Sequence, residues 1–150
     1  MPGMAGPLYA GPLLHPCMEG SAEAHAKGMV NGWLLFLIGG GLYVALEYFW
    51  RGWSHPSMFF TGGAALVLMS GLVARFAGLP LIALAAMSAL LITALEFVVG
   101  ALVNVRLGLK VWDYSRLPHN LYGQVCLRYS LLWFALSVPV VTALQLVNTI

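Results

Sequence analysis

Charge is scarce in this chain: 8% of its residues are Asp, Glu, Lys or Arg, against roughly a quarter in a soluble domain. An ordinary water-soluble fold is thereby excluded. With 61% of the residues hydrophobic, a chain this short cannot hide its apolar surface in one aqueous core. The formal net charge is only +2, and no basic stripe interleaved with aromatics is present, so nucleic-acid binding has no support. Cysteine is scarcer still. Cys17 and Cys126 lie far apart and form no CxxC pair, which indicates neither a zinc site nor a disulfide framework. His15, His25 and His55 have no metal-ligand spacing, and no cofactor is implied. No Walker motif occurs, so the chain does not itself hydrolyse ATP. No hydrolase motif places a serine or cysteine nucleophile, and no residue is indicated as catalytic.

What the sequence does have is long apolar runs, and lipid is the solvent that accounts for them. They predict an all-α integral membrane bundle of four helices, spanning about 33–50, 58–74, 81–103 and 125–147. The first span would be roughly 27 Å long at the helical rise, close to the hydrocarbon thickness. Trp33 at one end of it, with Tyr48, Trp50 and Trp53 at the other, resemble interfacial aromatic belts. Pro139 inside the fourth span removes a backbone donor and predicts a kink. Residues 1–30, rich in Gly, Pro and Ala, read as a mobile tail with a short amphipathic piece near 22–29. Nothing basic precedes Pro12-Leu13-Leu14, so a cleaved signal is not expected. Residues 31–150 read as the membrane domain.

Arg51, Arg106, Lys110, Arg116 and Arg128 flank one end of the spans, and Lys27 and Arg75 the other. The positive-inside rule then places both hairpin loops in the cytoplasm and both termini outside a multi-pass cell-membrane protein. Ala45-Leu46-Glu47-Tyr48 in span one is echoed by Ala94-Leu95-Glu96-Phe97 in span three. The echo is compatible with two parallel-repeat helical hairpins.

Glu47 and Glu96 are the informative residues. A carboxylate inside a membrane helix costs roughly 2.5 to 3.5 kcal/mol at the centre on insertion scales. It must be protonated, paired, or turned to a wet cavity. Ser88, Glu96, Gly100 and Asn104 recur at helical spacing, a stripe that should face the bundle. Gly40, Tyr43, Glu47 and Arg51 share a face of span one, with Glu47 and Arg51 in the favourable i,i+4 order. Two readings follow. Both acids line one cavity and handle protons or a cationic solute. Otherwise Glu47 pairs with Arg51, and Glu96 hydrogen-bonds to the backbone or to Asn104 and locks the bundle. Gly39-Gly40-Gly41, Gly62-Gly63 and Gly71 read as close helix contacts.

The segment Val111-Trp112-Asp113-Tyr114-Ser115, with Asn120, Gly123 and Gln124 after it, is too polar for lipid and too aromatic for a plain linker. Asp113 can cap a turn through Ser115 or pair with Arg116 or Arg106. Together with Leu95-Glu96-Phe97, Gly100, Cys126-Leu127 and Ser130-Leu131-Leu132-Trp133, this signature resembles the small bacterial membrane proteins called putative ABC-transporter type IV, or CmpB-like. The likeness is close over 94–134 and looser over 33–63. It implies a transport-related membrane protein, and a separate ATPase partner if the chain is a permease subunit. It brings no particular substrate. The chain departs from the pattern in a short first loop and in Arg128.

The expected function is a small transporter or permease subunit, acting as a homo-oligomer in the lipid bilayer. Glu47, Glu96, Asn104, Asp113 and Asn120 are the expected solute- or proton-binding residues. Arg51, Trp112, Tyr114, Ser115, Gln124 and Arg128 are the expected supporting ones. The alternative is a non-catalytic membrane scaffold or regulator. An intramembrane lipid enzyme would need Asp113, His119 and Glu96 to converge.

Overall fold

A computed structural model describes residues 31–149. The expected tail, with its amphipathic piece, lies outside the described residues. Helix α1 (Gly32–Arg51) starts where the Asn31 side chain accepts from the Trp33 amide, and ends where Gly52 turns left-handed at φ 76°. Only glycine adopts that conformation without strain. Helix α2 (Pro56–Arg75) begins on a His55 cap that accepts from the Ser57 amide, with proline in the first turn, where its missing N–H costs nothing. Helix α3 (Leu81–Gly100) follows Pro80 and runs on into a π-helical turn, Ala101–Arg106. After a looped segment, strands β1 (Asn120–Leu121) and β2 (Val125–Cys126) pair antiparallel, Asn120 opposite Cys126. Helix α4 (Leu127–Thr149) is continuous through Pro139.

All four helices are long and apolar enough to cross a membrane. Most of their apolar surface points outward: Phe49 is 91% exposed and Leu90 71%. Such a surface is stable only in lipid. Trp33, Tyr48, Trp50 and Trp53 are also exposed at the helix ends, as interfacial anchors require.

Helix α1 packs chiefly on α2, and α4 chiefly on α3. The α1–α2 contact is made backbone to backbone. A methyl group added to Gly40 would stand 2.7 Å from the Phe59 carbonyl oxygen, and one on Gly39 would overlap the carbonyl oxygen of Gly62. Gly41 and Gly71 have open space around them, so of the predicted contact glycines only 39, 40, 62 and 63 serve this packing. The apolar core (Leu35, Met69, Val73, Leu84, Val141, Leu144) occupies the end of the bundle where α1 begins and α4 finishes. The other end is hollow.

Candidate functional site

The hollow end is a cavity of about 160 Å³ lined from α1, α3, α4 and the looped segment. Glu47 and Glu96 both line it. The carboxylates of the two echoed motifs therefore share one space. The stripe read from the sequence faces inward: Ser88 is 0% exposed and Glu96 4%.

The two acids are treated differently. Glu47 is fully engaged. Its Oε1 accepts from Arg51 Nη2 at 2.6 Å and its Oε2 from Ser54 Oγ at 2.6 Å. Arg51 also donates from Nη1 to the Val111 carbonyl at 3.0 Å, and its guanidinium lies 4.2 Å from the centre of the Trp53 ring. This one side chain thus ties the first loop to the second. Its Nε is buried without a partner. Glu96 accepts from the Tyr43 hydroxyl at 2.5 Å, and among the described residues no cationic side chain pairs with it. The expected bond from Glu96 to the backbone or to Asn104 is not made: Glu96 accepts from Tyr43 instead, and Asn104 is engaged with Val111 and Gln124. The Tyr43 ring lies 5.3 Å from that of Trp133. The buried Trp133 Nε1 has no hydrogen-bond partner among the described residues.

The segment between α3 and α4 folds over the mouth. Asn104, in the π-helical turn, accepts from the Val111 amide at 2.7 Å and donates to Gln124 Oε1 at 2.9 Å. Gln124 Nε2 donates to the Tyr122 carbonyl, and Trp112 Nε1 donates to the Gln124 carbonyl at 2.8 Å. Gly100 lies beneath: a Cβ there would stand 2.6 Å from Gln124 Oε1 and 3.0 Å from the Trp112 ring. Trp112 and Tyr114 then reach the cavity wall, Tyr114 stacked on Tyr129 at 4.6 Å. Burial pushes the Tyr114 phenol well above its ordinary range, with Glu96 and Tyr129 adding to the effect.

Of the expected binding residues, Glu47 and Glu96 meet at the cavity. Asn104 holds the loop that covers it. Asp113 and Asn120 do not line it. Asp113 is exposed and accepts from the Ser115 amide and hydroxyl; these bonds hold its carboxyl below the usual range. It caps the turn as expected, and forms no ion pair with Arg116 or Arg106. Asn120 donates to the Leu117 carbonyl at 2.7 Å and accepts from the Gly123 amide at 3.0 Å. Both are loop staples. Arg128 is exposed at the start of α4 and off the cavity. Asp113, exposed, does not converge with Glu96. Sequence reasoning did not assign Tyr43, Trp50, Tyr129 or Trp133 to the site. Tyr43, four residues before Glu47 on one helix face, carried the clearest signal. Among the described residues no group of His, Cys, Asp or Glu could hold a metal ion.

The family profile described as Putative ABC-transporter type IV matches residues 23–149. No curated protein and no solved structure matches the chain. The chain belongs to the Putative ABC-transporter type IV family, and is a small multi-pass membrane protein related to ABC-transporter permease components.

Proposed function

We propose that this chain is the membrane-embedded part of a transport system, a small transporter or permease subunit, and that its hollow end takes up a cation or a proton at Glu96. One observation carries the reading. Of two acids in a single cavity, Glu47 has its counter-charge in Arg51, while Glu96, 4% exposed, has only a neutral hydroxyl. A buried carboxylate without a counter-charge is costly, and a cationic guest or a proton removes the cost. Aromatic walls suit the same guest through their ring faces.

Arg51, Arg106, Lys110, Arg116 and Arg128 cluster at or beyond this end, which supports a cytoplasmic mouth. A separate ATPase subunit would dock on that face if the chain is a permease component. Four spans make a thin path, which supports a homo-oligomer. The fully engaged Glu47–Arg51 pair favours the scaffold reading for that pair alone.

The test is binding of tetramethylammonium to the purified protein in nanodiscs, read from the emission of the tryptophans lining the cavity. A saturable change in the parent protein, lost in a folded Glu96→Gln variant, supports the transport reading. No saturable change in the parent, with Glu96→Gln losing thermal stability, favours the scaffold.

A further inference from the structure

A second cavity of about 240 Å³ opens beside the first. Its walls are almost wholly apolar and include Leu42 of α1, Leu66 and Met69 of α2, and Val140 of α4. It exists because α1 is committed to α2 and α4 to α3. Between α1 and α4 the Tyr43 and Trp133 rings meet, their centres 5.3 Å apart. Those two residues, with Leu46 and Leu136, line both cavities. The polar end and the apolar cleft therefore adjoin, with these four side chains as their common wall.

Resting on the reading of the hollow end as a cation site, we propose that the two cavities form one binding site for a single-chain amphiphile with an ammonium head. The head sits at Glu96 among the Trp112, Tyr114 and Trp133 rings; the alkyl chain passes Tyr43 and Trp133 and lies in the cleft between α1 and α4. An ammonium head supplies the counter-charge that Glu96 lacks and can meet aromatic faces. An anionic head would meet two carboxylates, with the one nearby guanidinium already held by Glu47. A second copy of this chain is a poorer occupant. A helix with its side chains is about 10 to 12 Å across, too broad for a cleft of 240 Å³. The flexible chain of an amphiphile fits, and it enters sideways from the bilayer without crossing the aqueous mouth.

The experiment uses the protein in liposomes and a long-chain alkyltrimethylammonium bearing a diazirine near the chain end. Adducts are mapped by mass spectrometry after illumination. The expected result is adducts concentrated on Leu66, Met69 and Val140, about tenfold above those from the matching alkyl sulfate, and reduced by excess tetramethylammonium, which competes for the head site alone. Adducts spread over lipid-facing residues such as Leu90 and Val98, equal for the two probes, overturn the proposal. So does self-cross-linking of a Leu66→Cys variant between two copies with no adduct in the cleft. If tetramethylammonium still changes the tryptophan emission while the adducts are diffuse, the amphiphile inference falls and the cation site stands. If neither probe acts at the cavity, both fall.

Discussion

The Tyr43 hydroxyl donates to Glu96 Oε1 at 2.5 Å, joining helices α1 and α3 across 53 positions of sequence. Both partners are buried. The bond links the first hairpin to the second at the wall of the hollow end. Removing the hydroxyl as Tyr43→Phe leaves the tilted ring contact with Trp133 in place. The variant is expected to lose about 1 kcal/mol of stability, measurable as a lowered thermal unfolding midpoint in detergent. An unchanged midpoint would show that the bond adds nothing net.

The glycines of α1 and α2 should divide sharply. Gly39→Ala forces a methyl group against the Gly62 carbonyl and Leu66, and is expected to cost about 1 to 3 kcal/mol through overpacking. Gly41→Ala meets nothing within 4 Å and is expected to be neutral or to gain up to about 1 kcal/mol from helix propensity. Unfolding midpoints of the two variants, measured side by side, check the contrast.

Gly123 sits at φ +68° against Ser115 and Asp113. Gly123→Ala adds roughly 1 to 2 kcal/mol of left-handed strain and crowds the Asp113–Ser115 turn. The segment over the mouth should loosen while the helices stay folded. Limited trypsin digestion, with faster cleavage after Arg116 and unchanged helical circular dichroism, is the expected signature.

The Asp113 carboxyl titrates below its ordinary range because it accepts two bonds from Ser115. A depressed folded-state value means that its contribution is present above the unfolded-state value and fades as pH falls through the folded one. The turn should therefore stay closed in mild acid and open only below the usual aspartate range. Hydrogen exchange at the Ser115 amide across a pH series measures this. Ser115→Ala should move the opening towards higher pH.

Much of the fold was legible in the sequence because lipid imposes a simple rule: about twenty apolar residues make a span. The breaks were legible too, since His55-Pro56 and Leu79-Pro80 are local signals. The π-helical turn was not. Residues 101–106 look like the end of an ordinary helix, and the π-helical backbone that carries Asn104 to Val111 and Gln124 has no sequence signature. The inward face of Glu96 followed from spacing. That Glu47 and Glu96 share a cavity did not, because periodicity orders residues around one helix and says nothing of how two helices rotate against each other. Asp113 and Asn120 carry the chemistry of ligands, yet they spend it on the loop. For Asp113 the spacing to Ser115 gave a hint. The backbone partners of Asn120 have no sequence signature.

The glycine contact between α1 and α2 also bears on how the chain enters the bilayer. The close approach of the first two helices is made by their own residues, so this contact can form while α3 is still being synthesised. Tyr43 is then already in position when α3 arrives. The acid that would be the hardest group to leave alone in hydrocarbon finds its hydroxyl partner on arrival, and the order of synthesis itself shelters the most awkward side chain of the bundle.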